Sequence, residues 1–236
     1  MVAAVTDEAR AQVLAIGGNA QRVVTVHNGT DLDVFRPRLK CENAVRAWAR
    51  KARPVVAFCG TGTYTFDRAT IGVAMSRIAA ELPEAGFLFV GPDYREVLAS
   101  CPAAACFRHR LFCTCRVPHL EVPGLLAAAD VFWAAYLNDY GSPLKQFEYM
   151  AMGKPVAVAG DAQAAWLVTE ARCGLAVPRG DARGLAQAVL SIWAESQASR
   201  ENLGANGRRW VRDNASWDAV AQRIMAAYED SLTSMT

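Results

Sequence analysis

From Pro54 onward, short continuous apolar runs alternate with amphipathic stretches. Pro54–Phe58 is one run, closed by Gly60, and a helical stretch follows over Arg68–Leu82. Gly86–Val90 is the next run, closed by Gly91-Pro92-Asp93, with a short helix at Tyr94–Ser100. Leu111–Cys115 is a weaker run, Pro123–Ala129 a short helix, and Val131–Ala135 a run opened by Asp130. Then come a helix within Ser142–Met152, a strand at Pro155–Ala159, a helix at Ala162–Ala171 and a strand at Leu175–Pro178. A helix capped by Asp181 extends to Glu195, and two more, Arg200–Asp213 and Trp217–Ser231, end the pattern. Strands that are continuously apolar, rather than alternating, are buried on both faces, as in a parallel sheet covered by helices. The pattern therefore predicts a doubly wound, Rossmann-like α/β domain with a helical tail. A ligand crevice is expected at the carboxyl ends of its strands. The loops concerned are Gly60–Asp67, Gly91–Asp93, Arg116–Glu121, Asn138–Ser142 and Gly160–Gln163.

The first fifty or so residues lack this rhythm. Val23–Val26 reads as one strand, Asn28-Gly29-Thr30-Asp31 as a turn and Lys40–Arg53 as a polar, helical connector. The segment reads as the tail of another unit, with no core of its own. Three regions result: 1–50 as remnant and connector, 51–196 as the α/β domain, and 197–236 as helices packed on it.

Composition narrows the function class. Of 236 residues, 53% are hydrophobic and 20% charged, which excludes disorder as the main state. A net charge of +2 gives no reason to expect nucleic acid as a partner. There is no run of about 18 apolar residues and no basic, apolar leader at the N-terminus, so neither a membrane span nor a signal peptide is expected. The seven cysteines include no CxxC and read as reduced, cytosolic thiols. Cys113 and Cys115, two apart on a strand, would share one face. His27, His109 and His119 share no metal spacing and read as surface or loop residues, so no metal site is expected. Trp193, Trp210 and Trp217 read as packing residues. Gly60-Thr-Gly-Thr-Tyr-Thr is a GxGxxG without its third glycine, a poor match for dinucleotide binding.

The stretch Asp139–Pro155 carries the chemistry. Ser142 is a good N-cap, Pro143 suits the first helical position, and Gly153 with Pro155 stops the helix. The N-terminal turn offers free N–H groups and positive dipole charge, a setting for phosphate. Lys145 sits in that turn against the dipole's preference. It either faces a bound phosphate or reaches solvent and pairs with Glu148 at i,i+3. Glu148, among Leu144, Phe147, Ala151 and Met152, needs a partner: a vicinal diol such as a ribose 2′,3′ pair, or a structural salt bridge.

Phe147-Glu-Tyr-Met-Ala-Met-Gly-Lys-Pro-Val156 resembles the signature of the retaining GT-B glycosyltransferases of family 4, or glycosyl transferases group 1. Four further segments resemble that family in order: His27–Pro37, Leu125–Asp130, Cys173–Asp181 and Asn214–Asp218. The resemblance implies the donor-binding half of a GT-B enzyme that transfers a hexose from UDP-sugar or GDP-sugar to a sugar, lipid or polysaccharide acceptor, with no other cofactor. By that resemblance Glu148 binds the nucleotide ribose, and Gly141, Ser142, Pro143 and Leu144 contact sugar and phosphates. Arg116 and Val117 lie in the base-binding loop. Gly60, Thr61 and Gly62 offer backbone N–H groups to the diphosphate, and Arg68 and Lys145 its cations.

Three departures stand out. Tyr140 occupies the place of the family's first glutamate, with Asp139 adjacent. The first loop lacks the usual Gly-Arg and Lys, leaving Arg68 its only cation. The N-terminal half is represented only by Val2–Ala9, which resembles its last strand-to-helix junction. An N-terminal-half chain is thus an expected partner, without which the enzyme is expected to be inactive. A cytoplasmic location, including the inner membrane face, is expected. The alternative is a catalytically inactive GT-B-like binding or partner domain; a sugar-nucleotide epimerase fits the motifs less well.

Overall fold

The computed structural model describes residues 1–60, 66–137 and 142–233. The chain opens with a small unit of β1 (Val2–Ala4), α1 (Asp7–Ala15) and β2 (Val23–Thr25), in which Val2 lies opposite Val23 on parallel strands. The Thr6 side chain caps α1 by accepting from Ala9 N at 2.9 Å. A short helix, α2 (Asn43–Ala49), leads into the main domain. There β3 (Val55–Cys59), α3 (Arg68–Glu81), β4 (Gly86–Val90), α4 (Tyr94–Ser100), β5 (Leu111–Cys113) and α5 (Val122–Leu126) form the first half. The second half is β6 (Val131–Ala135), α6 (Leu144–Ala151), β7 (Val156–Ala159), α7 (Ala162–Glu170), β8 (Gly174–Val177) and α8 (Ala182–Ala194). Two long helices follow, α9 (Gln197–Asn214) and α10 (Trp217–Thr233).

The six strands of the main sheet are all parallel, in the order β5-β4-β3-β6-β7-β8. Each strand carries apolar side chains on both faces, and each face builds its own core. In β6, Phe132 and Ala134 point to the side of α6, and Tyr136 just beyond joins them. Val131, Trp133 and Ala135 point to the side of α3 and α8. This double burial is why the strands read as unbroken apolar runs.

The order reverses between β3 and β6, and ligands of such sheets lie at that switch point. The two strands pair only at Val56–Val131 and Ala57–Phe132. Above these pairs Tyr149 of α6 joins the end of β3. Its hydroxyl accepts from Cys59 N at 2.7 Å and donates to Cys59 O at 3.1 Å. Its ring stacks on Phe132 with centroids 4.4 Å apart. The phenol thus supplies the backbone bonds that a neighbouring strand would otherwise make.

α9 anchors the far end of α6. The Arg208 guanidinium donates to Ala151 O at 2.6 Å and to Phe35 O at 3.1 Å, taking up a carbonyl that the helix end leaves without a partner. Gly153 follows with φ +69°, a left-handed conformation that suits glycine and ends the helix. Gly204 lets α9 approach: a Cβ there would lie 2.0 Å from Gly153 O. Gly204→Ala is therefore expected to destabilise the fold by about 1–3 kcal/mol, as overpacking does. A urea midpoint unchanged from the wild type would count against this close approach.

Two expectations need correction. The turn placed at Asn28–Asp31 falls later, at 32–34, where Asp31 Oδ1 accepts from Asp33 N and Val34 N at 2.8 and 3.0 Å. Thr30 is held extended by a bridge to Ser216, and Gly29 packs on Trp217. Cys113 and Cys115 do not share a strand face, since β5 ends at Cys113 and Cys115 has φ +59°. Phe35, Val45 and Ala49 of the leading segment are buried in the core on the α6 side.

Candidate functional site

The switch point places α6 beside the carboxyl ends of β3 and β6. The helix begins at Leu144, with Pro143 in the capping position and Ser142 before it. Ser142 is therefore not the side-chain cap that its type led one to expect. Among the described residues its Oγ is buried without a hydrogen-bond partner. The turn is closed instead by main-chain carbonyls, with Leu144 N donating to Ser142 O and Gln146 N to Pro143 O, both at 2.8 Å.

Glu148 lies in the second turn of α6 and is 8% exposed. Lys145 Nζ donates to its Oε2 at 2.9 Å and to its Oε1 at 3.2 Å. His119 Nε2 reaches Oε1 at 3.1 Å. An ionised carboxylate only accepts, so this contact assigns the His119 proton to Nε2. Of the two partners read for Lys145, the structure shows the carboxylate. Burial works against the Lys145 ammonium, yet Cys59 and Glu148 together raise its pKa. Burial also pushes the Cys59 thiol up to about 12, so at neutral pH Glu148 supplies the charge that Lys145 meets.

His119 comes from the loop after β5, the loop assigned to the base, and its ring packs on Phe35 at 5.3 Å. In the same loop Arg116 is exposed and Val117 half-buried. The sequence marks His119 only as a surface or loop residue; it is exposed and opens a short 3-10 turn, His119–Glu121, and nothing in its local pattern shows that it meets Glu148. Its place beside Arg116–Val117 was the one available clue. Tyr149 and Tyr136 were likewise not singled out. Tyr136 is the residue after β6, its pKa raised by burial and then by Glu148.

The other expected residues fall as follows. Arg68 is the first residue of α3, and its Nη2 lies 3.5 Å from Glu96 Oε1 on α4. Both expected phosphate cations therefore have carboxylate partners. Gly60 directly follows β3, but its N–H donates to Val90 O at 3.0 Å and is not free for an anion. Leu144 is exposed at the start of α6 and Pro143 is buried. Thr61, Gly62, Asp139, Tyr140 and Gly141 lie outside the described residues. Among the described residues, no group of three His, Cys, Asp or Glu is placed to hold a metal ion.

Chemically, this is a buried carboxylate with both oxygens lined by N–H donors, at a sheet's switch point and one turn from a helix N-terminus. Such a group can take two hydroxyls of a diol, and the helix start beside Lys145 can take an anion.

Comparison with known proteins agrees with this architecture. The chain is 28% identical over 236 residues to a phosphatidyl-myo-inositol mannosyltransferase of Mycobacterium leprae, covering 98% of this chain and 59% of that protein. It is 26% identical over 245 residues to a D-inositol 3-phosphate glycosyltransferase of Mycobacterium marinum, covering 98% of this chain and 50% of that one. The chain thus spans little more than half the length of these curated relatives. Among solved structures, a glycosyltransferase of Rickettsia africae superposes with a TM-score of 0.80 at 17% identity, covering 97% of this chain and 63% of the other. The Anabaena protein HepE, solved with UDP and glucose, superposes with a TM-score of 0.76 at 16% identity, covering 97% and 62%. At these identities the likeness is one of fold, the GT-B fold. A family model described as glycosyl transferases group 1 matches residues 53–195, well over half of the chain, and the chain belongs to that family.

Proposed function

We propose that this chain is the donor-binding half of a retaining glycosyltransferase that takes a hexose from UDP-sugar or GDP-sugar. The observation that carries the reading is the placement of Glu148, buried beside the switch point and held by Lys145 and His119. In this reading Glu148 accepts from the ribose hydroxyls, and His119 holds the carboxylate in its rotamer. Lys145 turns from Glu148 to the diphosphate, where it and the N-terminus of α6 stabilise negative charge developing on the leaving group. Ser142, Pro143, Leu144 and Gly141 line the sugar and phosphates, Arg116 and Val117 the base, and Arg68 adds charge once it leaves Glu96. The acceptor, a sugar, lipid or polysaccharide, and its binding surface belong to the remaining half of the enzyme. That half is proposed as the partner needed for turnover.

The names of the relatives are in keeping with this. One of them is a GDP-mannose-dependent mannosyltransferase of Mycobacterium tuberculosis, and HepE was solved with UDP. The presence of Tyr140 where the family has a glutamate favours a second reading, a partner domain that binds donor without transferring it. That reading predicts nucleotide binding with no consumption of UDP-sugar or GDP-sugar. Among the described residues no helix is long and apolar enough to cross a membrane.

Calorimetric titration of the chain with UDP and with GDP tests both readings. One of the two is expected to bind with a dissociation constant in the ~1 µM–1 mM range common for enzyme substrates. No measurable heat with either nucleotide at millimolar concentration would remove the basis of the proposal.

A further inference from the structure

Several buried polar side-chain atoms lack a hydrogen-bond partner among the described residues, and four of them lie in segments after neighbouring strands. Tyr136 Oη, Ser142 Oγ, Gln146 Oε1 and Gln163 Oε1 all belong to segments that follow β6 or β7. Tyr136 stands apart from the other three. Ser142 is already assigned to the donor, Gln146 Nε2 donates to Ala164 O at 3.0 Å, and Gln163 Nε2 meets His27 Nδ1 at 2.9 Å. Among the described residues the Tyr136 hydroxyl has no hydrogen-bond partner, although the residue is only 9% exposed.

Its position is tightly fixed. The main chain of Tyr136 donates to Ala159 O at 2.9 Å and bridges to Phe66. The ring packs on Phe66 at 5.3 Å and touches the space beside Gly160. It stands on the α6 side of the sheet, in the same core as Tyr149, and both the Glu148 carboxylate and the Tyr149 hydroxyl act on it electrostatically. A packed, neutral phenol is a hydrogen-bond donor, and a buried donor without an acceptor is disfavoured unless something else supplies one. The site beside it, on the proposed reading, receives a nucleoside diphosphate, which is rich in acceptors.

We infer that the Tyr136 hydroxyl donates a hydrogen bond to the bound nucleoside diphosphate and is a binding residue of the donor site. The inference rests on the function proposed above. Tyr136→Phe removes only the hydroxyl. UDP and GDP would be titrated into wild type, Tyr136→Phe and Glu148→Ala, with the melting temperature of each protein measured without ligand. Tyr136→Phe is expected to bind the preferred nucleotide about tenfold more weakly, with an unchanged or higher melting temperature, since an unpaired polar atom has been removed. Affinity within twofold of wild type overturns the inference, and marks an internal water as the hydroxyl's partner. A lower melting temperature accompanying the weaker binding also overturns it, since the hydroxyl would then be holding the fold. If wild type binds neither nucleotide, or Glu148→Ala binds as well as wild type, the donor-site reading fails and the role of Tyr136 falls with it. If Glu148→Ala loses affinity while Tyr136→Phe does not, only the inference about Tyr136 is wrong.

Discussion

Glu148→Ala is expected to weaken binding of the preferred nucleotide, UDP or GDP, by about 100-fold or more. A hydrogen bond to a charged group contributes roughly 1.5–3 kcal/mol. Two ribose hydroxyls on one carboxylate therefore contribute at least ~3 kcal/mol, and about 1.4 kcal/mol corresponds to each factor of ten. The substitution also leaves Lys145 without the anion at 2.9 Å that now holds it. With a quarter of its side chain exposed, Lys145 can hydrate, so the loss of stability should be modest beside the loss of affinity. Glu148→Gln keeps the shape and one acceptor oxygen but gives up the charge, and should fall between alanine and wild type. Calorimetry of the three proteins, with circular dichroism to confirm that each is folded, decides the matter. If alanine and wild type bind within about threefold of each other, the carboxylate is a structural member of an ion pair and the ribose lies elsewhere.

Tyr149→Phe is expected to have the largest effect on stability, about 3 kcal/mol. The ring volume is conserved and the stack on Phe132 is retained, so no cavity term enters. What is lost is the acceptor for Cys59 N and the donor for Cys59 O, both buried at the end of β3. Leaving a buried backbone group without a partner costs roughly 1–3 kcal/mol, and here there are two. For a domain of this size the melting temperature should fall by roughly 6–12 °C. Urea denaturation would check the value, with the same dependence on denaturant as wild type if the unfolded states match. A change below about 1 kcal/mol would mean that β6 or a water closes onto Cys59 when the hydroxyl is gone. It would then be the sheet, and not this phenol, that keeps β3 and β6 apart.

These predictions concern contacts of very different legibility. Strands β3, β4 and β6 and helices α3, α4 and α8 can be read from local pattern, because continuous apolar runs and capping residues such as Asp67, Asp93 and Asp181 act within a few residues. The helix carrying Glu148 was legible for the same reason, and so was the i,i+3 pair with Lys145. Its start was misplaced, because Ser142 looks like a cap and Pro143 like a first helical residue, while main-chain carbonyls close the turn instead. The carboxylate's third neighbour was not legible. His119 lies 29 residues from Glu148, on a loop whose course depends on β5 being an edge strand. Arg68 shows the opposite case, a cation assigned by its place in a loop that in the fold leans on Glu96 of α4.

Local pattern along the chain suffices for the α/β class, the succession of elements, the helix that bears Glu148 and Lys145, and the family to which these motifs point. All of that depends on periodicity and capping, which act over a few residues along the chain. Which strands are neighbours comes only from the folded chain, and with it the short pairing of β3 with β6, the 90-residue link from Tyr149 to Cys59 and the meeting of His119 with Glu148. Strand order is set by burying both faces of one sheet at once, and no local segment contains that constraint.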